Sequence, residues 1–199
     1  MNITDFTSNF AANRQQIIID GSTLSYLDIG QGPVLLMGHS YLWDADMWAP
    51  QIAHLSQNYR CIVPDLWGHG FSGKLPEQTR NLRDIAAQML ELMDKLNVDS
   101  FSVMGLSVGA MWGAELALKV PARVQHLIML GSFIGYEPEI TRDKYYAMLD
   151  IIKAEQVISP TIIDAITPLF FATEPNAELV ELFKQKLNHF DSNNIDCLY

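Results

Sequence analysis

Four short, predominantly apolar segments recur in the first 130 residues, and they constrain the fold more than any other feature of the sequence. They lie at residues 34–37, 61–63, 101–104 and 124–130. A strand with one wet face alternates apolar and polar residues, whereas a continuous apolar run indicates a strand buried on both faces. We therefore expect four strands of a sheet that is covered on both sides.

Helical stretches separate these strands. Residues 48–55 form a short one, and residues 81–96 form a longer one with Asn81 and Asp84 suited to its first turn. The longer stretch places six apolar residues on one stripe: Leu82, Ile85, Ala86, Met89, Leu90 and Met93. The alternation predicts an α/β fold with a mostly parallel sheet and helices on both faces.

The two ends of the pattern differ from its middle. Residues 15–19 and 23–28 flank the turn dipeptide Asp20-Gly21, which predicts a β-hairpin. After residue 130 the spacing becomes purely helical, in three segments separated by prolines: 137–153, 160–171 and 176–188. We predict a core in residues 1–134 and a helical region in residues 135–199.

The charge and cysteine content narrow the class of partner. The net charge of −10 leaves no basic stripe for phosphates, which argues against nucleic acid and anionic membranes and favours a small neutral substrate. Residues 1–10 lack a leader pattern, and no apolar stretch approaches the roughly 20 residues that span a bilayer, so we expect a cytoplasmic protein. Cys61 and Cys197 suggest neither a disulfide framework nor a zinc site, and we expect no metal or organic cofactor.

The candidate for chemistry is Ser107, in the sequence Gly-Leu-Ser-Val-Gly at residues 105–109. An apolar strand precedes it and good helix formers follow it, so Ser107 is predicted to lie in a tight strand-to-helix turn. Glycines on both sides leave room for the backbone there, and the following helix N-terminus offers free N–H groups and a positive dipole end to an oxyanion. A glycine and serine turn without reactivity is the alternative.

Two further loops follow buried strands. Residues 38–41 (Gly-His-Ser-Tyr) can direct a backbone N–H towards the same point as the N–H of Val108. His39 is either a catalytic base or, as we favour, a side chain that holds this loop. In residues 65–72, Asp65 and His69 suggest a catalytic dyad, but we favour hydrogen bonds that fix an irregular backbone.

These three segments together resemble the α/β-hydrolase fold family over nearly the whole chain. In detail, the sequence around Ser107 and residues 41–48 is similar to the branch of carboxylesterases, enol-lactone hydrolases and cofactor-free haloperoxidases. The resemblance implies that Ser107 is the nucleophile, that the N–H groups of Tyr41 and Val108 form the oxyanion hole, and that the helices after Gly135 form a lid. Serine at 107, rather than aspartate or cysteine, argues against dehalogenase, epoxide-hydrolase and thiol chemistry.

A catalytic acid and histidine are not recognisable after Ser107, although in this fold they follow the serine. Glu137 and Glu139 fit the first turn of a helix better than a catalytic role, and His126 and His189 lack a suitable strand before them. Residues 124–130 would also form an apolar sheet edge without a charged residue in the middle. We hypothesise that the last strands are missing, and that a C-terminal fragment, or a homodimer through this edge, completes the protein.

The expected reaction is hydrolysis of a small or medium, partly apolar ester or lactone through an acyl-serine. Four aromatic residues are candidates for lining the pocket, although each is equally an ordinary core residue: Tyr41, Trp43, Phe133 and Tyr136. Two alternatives remain open. A perhydrolase or haloperoxidase uses the same serine, and an inactive homologue would hold a ligand in the same pocket.

Overall fold

The computed structural model describes residues 10–198; residues 1–9, which bear on the leader expectation, and Tyr199 lie outside the described part. The strands are β1 (Arg14–Ile19), β2 (Ser22–Ile29), β3 (Val34–Gly38), β4 (Arg60–Pro64), β5 (Phe101–Leu106) and β6 (Val124–Leu130). They form one sheet in the order β1-β2-β4-β3-β5-β6. The β4-β3-β5-β6 part is parallel, and β2 runs antiparallel to both β1 and β4. The mostly parallel sheet is therefore confirmed.

The predicted hairpin between β1 and β2 is also confirmed. Asp20 and Gly21 have φ of 47° and 82°. Positive φ at both central residues twists a two-residue turn in the same sense as the strands. Aspartate and glycine tolerate this conformation, which explains why this dipeptide marks the turn.

Contacts divide the chain into two units, residues 1–134 and 135–199. The helices of the first unit are α1 (Ala49–Leu55, preceded by a 3₁₀ turn at Ala45–Trp48), α2 (Leu82–Lys95) and α3 (Val108–Lys119). Asn81 and Asp84 form a reciprocal capping box at the start of α2, as their position in the sequence suggested. No helix in residues 10–198 has the length and apolarity needed to cross a membrane.

The second unit contains α4 (Glu139–Glu155), α5 (Pro160–Ile166) and α6 (Ala177–Asn188), which confirms its helical character. The segment predicted at residues 160–171 is not one helix, because α5 ends at Ile166 and a 3₁₀ turn with Pro168 follows. Proline has no N–H to continue the helical bonds. Glu139 lies in the first turn of α4, the position expected for an acidic residue there.

Two apolar clusters cover the two faces of the sheet in the first unit. On one face, Leu36 and Val103 pack with Met89 of α2 and Trp112 of α3. On the other face, the neighbouring residues of the same strands pack with α1 and the turn before it: Leu35, Met37, Cys61, Val63 and Met104. Successive residues of a strand point to opposite faces, so continuous apolar runs were required.

Strand β6 departs from this pattern, and the prediction that both of its faces are buried is wrong. Leu127 packs against the cluster below α3, but Ile128 and Leu130 are 42% and 38% exposed. Within the described residues β6 pairs only with β5, so it is an edge strand with one covered face. An exposed apolar edge of this kind is a surface on which another strand can pair.

The backbones of β3 and α3 approach each other unusually closely. A Cβ atom on Gly109 would lie 2.3 Å from the carbonyl oxygen of Gly38, and one on Gly38 would lie 2.8 Å from the Cα of Gly109. On the β5 side, a Cβ on Gly105 would lie 2.3 Å from the amide nitrogen of Ala110. Only glycine fits at these three positions, and the contact sets the height at which α3 begins above the sheet.

We expect Gly109→Ala to destabilise the protein. Helix propensity alone favours alanine by up to about 1 kcal/mol. The new methyl group would instead press on the Gly38 backbone, and overpacking of this kind costs about 1–3 kcal/mol with no side chain able to yield. Urea unfolding should therefore show a net loss.

Gly73→Ala is the matched control, because its Cβ would lie no closer than 3.3 Å to Thr23. We expect a change within about 1 kcal/mol for this variant. A Gly109→Ala variant as stable as wild type would show that α3 can move away from β3 without cost.

Candidate functional site

Ser107 lies where β5 ends and α3 begins, in the tight turn that the sequence predicted. Its φ and ψ are 53° and −121°, a backbone conformation that residues other than glycine rarely adopt. The turn is held on both sides of the residue: its N–H donates to Leu130 O (2.9 Å), and its carbonyl oxygen accepts from Ser132 Oγ (3.1 Å) and Ala110 N (3.0 Å). Such strain costs about 1–3 kcal/mol and is typical of residues held for function.

The start of α3 lies directly beside this serine. Val108 is the first residue of α3 and Gly109 is the second. The first N–H groups of a helix have no acceptor within it, and they form the positive end of its dipole. The backbone at Val108 thus has the donor character that stabilises negative charge, and its place in an oxyanion hole stays a prediction.

The β3 loop (residues 39–44) runs close to the same helix end. A Cβ on Gly109 would lie 2.8 Å from the carbonyl oxygen of His39, so this loop begins in contact with α3. Tyr41 is half-buried and Trp43 is 7% exposed. Burial raises the pKa of the Tyr41 phenol above its ordinary value, so that side chain stays neutral. The assignment of the Tyr41 N–H to the oxyanion hole also stays a prediction.

His39 and His69 are buried, and each uses both ring nitrogens in hydrogen bonds to the backbone. His39 Nε2 accepts from Leu66 N (2.7 Å), and its Nδ1 lies 2.8 Å from Ser40 O. His69 Nε2 accepts from Leu42 N (3.2 Å), and its Nδ1 lies 2.9 Å from Trp67 O. These bonds support the interpretation of both histidines as holding loops, because no ring nitrogen is left to take a proton from Ser107.

Asp65 is the centre of a buried network that joins the β4 loop (residues 65–72) to other elements. One carboxylate oxygen accepts from Ala45 N (2.8 Å), and the other accepts from Phe71 N (3.0 Å) and Arg14 Nη1 (2.5 Å). Arg14 also donates to Asp46 (2.8 Å). Asp65 therefore fixes backbone, as we favoured, and it bonds no histidine among these contacts.

Burial raises the pKa of the Asp65 carboxyl, and the Arg14 guanidinium opposes that effect. No feature of the sequence predicted a role for Arg14 or Asp46. Arg14 lies 51 residues before Asp65 in the chain. It is the first residue of β1, an edge strand of the sheet, where a charged residue is ordinary. No local pattern in the sequence links the two, so the pair could be found only from the fold.

The remaining histidines lie away from Ser107 or in the other unit. His126 Nδ1 contacts Ser102 Oγ at 3.2 Å, near the amino ends of β6 and β5. Ser107 is five residues further along, which is roughly 17 Å at the rise of a strand. His54 lies in the last turn of α1, before β4, and is therefore also on the side of the amino ends. His189 is exposed in the second unit and its Nδ1 lies 2.8 Å from Gln185 O.

The other predicted pocket residues have different surroundings. Phe133 is 43% exposed at the end of the first unit, and Tyr136 is 99% exposed in the second. Trp43 is buried. A pocket role for these aromatics, and a lid role for the second unit, stay predictions.

The sheet order, the strained serine and the glycine contact behind it together define the class of this protein, the α/β hydrolases. A sequence model described as the alpha/beta hydrolase fold matches residues 33–159. The chain belongs to the α/β-hydrolase fold family.

Relatives of known name are esterases and lactonases among others. The chain is 33% identical over 102 residues to the pimeloyl-[acyl-carrier protein] methyl ester esterase of Nitrosospira multiformis. This alignment covers 51% of this chain and 39% of the relative. It is 29% identical over 132 residues to 3-oxoadipate enol-lactonase 1 of Acinetobacter baylyi, covering 65% of this chain and 47% of the relative. The chain thus aligns with less than half of each of these proteins.

A solved structure extends the comparison over the described fold. The crystal structure of a hydrolase from Pseudomonas aeruginosa matches with a TM-score of 0.80 and 25% identity, over 94% of this chain and 71% of that one. The match covers residues in both units.

We expect Arg14→Met to cost about 3 kcal/mol of unfolding free energy near neutral pH, because Asp65 would be left buried without its cation. The deficit should shrink as the pH falls. Without Arg14, burial holds the folded-state pKa of Asp65 further above its unfolded value, so the folded state binds the proton more readily and gains stability on acidification. Chemical unfolding at pH 8 and pH 5 measures this difference.

Arg60→Met is the control, since the Arg60 and Asp28 side chains are 30% and 15% exposed and remain partly solvated. We expect a smaller loss of about 1 kcal/mol. Equal losses in the two variants would contradict the view that Arg14 compensates a fully buried charge.

Proposed function

We propose that this protein is a serine hydrolase that cleaves a carboxylic ester or lactone through an acyl-serine. The observation that carries the proposal is the strained conformation of Ser107 at the start of α3. Such a turn presents the hydroxyl away from both the strand and the helix, next to backbone N–H groups.

The proposed reaction follows from this arrangement. Ser107 Oγ attacks the carbonyl carbon and its proton passes to a general base. The developing oxyanion accepts hydrogen bonds from the N–H groups of Val108 and Tyr41, each worth roughly 10²–10³ in rate. The alcohol leaves with the proton, and water then releases the acid from the serine.

The relatives guide the substrate class. One is named for a methyl ester of an acyl group and another for an enol-lactone, both carboxylic esters. A small or medium ester with an apolar part fits these names and the aromatic residues Tyr41 and Trp43 of the β3 loop. A perhydrolase on the same scaffold would differ only in using hydrogen peroxide instead of water in the second step.

We further propose that the general base and its carboxylate partner come from polypeptide outside residues 1–199. Two observations support this. His39 and His69 use both ring nitrogens elsewhere, and His54 and His126 lie towards the opposite end of the parallel strands. The fifth histidine, His189, is exposed, and its Nδ1 lies 2.8 Å from Gln185 O. Strand β6, with Ile128 and Leu130 exposed, offers an edge to which a further strand can add.

The first test is intact mass of the natural protein before and after a fluorophosphonate. We expect one adduct, which is absent from Ser107→Ala and present in Ser102→Ala, a serine within β5. Loss of the adduct in Ser102→Ala alone, or an adduct retained in Ser107→Ala, would contradict the assignment of the nucleophile.

The second test compares the natural protein with the 199-residue chain of 22.4 kDa, which is checked for folding by circular dichroism. Loss of a catalytic base lowers kcat by roughly 10⁶-fold in a serine hydrolase. We therefore expect the shorter chain to label and turn over esters far more slowly. A 199-residue monomer that labels at the natural rate would place the base within residues 1–199; a dimer that loses its activity with Ile128→Lys would identify a second copy as the partner.

A non-catalytic ligand-binding role is the second candidate. The observation favouring it is that both buried histidines near the β3 loop already hold backbone. A natural protein that binds esters reversibly, with no adduct at Ser107, would support this role.

A further inference from the structure

Two histidines join the β3 loop to the β4 loop in a reciprocal manner. His39, on the β3 loop, accepts a hydrogen bond from the Leu66 N–H of the β4 loop. His69, on the β4 loop, accepts one from the Leu42 N–H of the β3 loop. The two rings lie 5.4 Å apart, and both are buried. Each loop therefore holds the other through one imidazole.

The acceptor role of Nε2 determines the tautomer of both rings. A neutral imidazole carries its proton on only one nitrogen, so the proton lies on Nδ1. His39 Nδ1–H then donates to Ser40 O, and His69 Nδ1–H donates to Trp67 O. All four ring nitrogens thus bond to backbone in a single protonation state.

Two of these bonds, to Ser40 O and from Leu42 N, fall on the two peptide units that flank Tyr41. The Ser40 carbonyl and the Tyr41 N–H belong to the same planar peptide, and in a trans peptide they point in opposite directions. A bond from His39 to the Ser40 oxygen therefore sets the direction of the Tyr41 N–H. It also polarises that amide, which strengthens its N–H as a donor.

The second peptide unit is held by His69. Leu42 has φ of 63°, a left-handed conformation that is costly for a leucine. Its N–H donates to His69 Nε2, so the bond holds the strained residue after Tyr41 in place. The Tyr41 ring meets the His69 imidazole edge-on, with 5.8 Å between the ring centroids.

Burial keeps the His69 imidazole neutral, against the opposing effect of the nearby Asp44 carboxylate. Asp44 and the second imidazole face His69, and Asp65 lies in the same loop with its charge opposed by Arg14. Burial, with the neighbouring His39, lowers the pKa of His69 to about 4. Protonation at Nε2 would turn the acceptor into a donor facing the Leu42 N–H, so the bond holds at neutral pH and is lost in acid.

We propose that His39 and His69 are positioning residues, which fix the two peptide units around Tyr41 and so aim the Tyr41 N–H at the oxyanion. The proposal rests on the proposed function, since it assigns a role to parts of the same site. It gives each ring nitrogen a separate task.

Asparagine and glutamine separate these tasks. The amide of asparagine lies at the same number of bonds from the backbone as Nδ1, and the amide of glutamine reaches the position of Nε2. His39→Asn therefore keeps a donor for Ser40 O, and His39→Gln loses it. For His69 the order is reversed, because His69→Gln keeps an acceptor for Leu42 N and His69→Asn loses it.

We expect a crossed pattern in the natural protein with a short-chain p-nitrophenyl ester. His39→Gln and His69→Asn should lower kcat by roughly 10–100-fold relative to His39→Asn and His69→Gln, with little change in KM, because the loss of an oxyanion donor acts on the transition state. His126→Gln, far from the site, should match wild type. Equal kcat losses for both substitutions at each histidine, in parallel with unfolding midpoints, would overturn the proposal.

A second measurement decides the proposal without catalysis. In ¹⁵N-labelled protein, both imidazoles should carry the proton on Nδ1, and the Tyr41 amide resonance should shift in the same crossed pattern and again as the pH falls towards 4. A proton on Nε2, or an unchanged Tyr41 amide, would overturn it. A wild-type protein with neither adduct nor turnover would overturn the proposed function instead. The amide resonances would still show whether His39 and His69 set the direction of the Tyr41 N–H.

Discussion

The contact between three glycine backbones behind Ser107 is the constraint on which the site depends. Gly38 ends β3, Gly105 lies in β5, and Gly109 is the second residue of α3. A methyl group on any of them would meet backbone atoms at 2.3–2.8 Å. Because α3 can begin this close to the sheet, the chain has to reverse within one residue. That reversal produces the positive φ of Ser107 and brings the start of the β3 loop against the helix end.

A second layer of interactions then fixes the loops that this contact brings together. The backbone of the β3 loop turns through a left-handed leucine, and the β4 loop turns through Gly70 beside the Asp65 carboxylate. Neither loop is regular secondary structure, so its N–H groups need side-chain acceptors. Asp65 and the neutral His39 and His69 supply these acceptors. Arg14 forms an ion pair that compensates the buried Asp65 carboxylate.

The sequence predicted those features that depend on neighbours in the chain. The hairpin followed from Asp20-Gly21, and the serine turn from its glycines between an apolar strand and a helix. Contacts between distant residues were not predictable in this way. The Arg14 bond to Asp65 joins residues 51 apart. The exposure of β6 depends on which strands pair with it, whereas an apolar run looks the same at an edge and in the middle of a sheet.

The proposed function as a serine hydrolase needs two kinds of chemistry, and the candidate site separates them. Stabilising an oxyanion requires aimed N–H groups, which backbone alone can provide once glycines and histidines hold it. Moving the serine proton requires a side chain that changes protonation state near neutral pH. His39 and His69 are unsuited to this task because their tautomers are fixed by backbone bonds, and burial keeps the pKa of His69 at about 4. Their neutrality suits the task of holding donors in place, so the same property that makes them poor bases makes them good positioning residues.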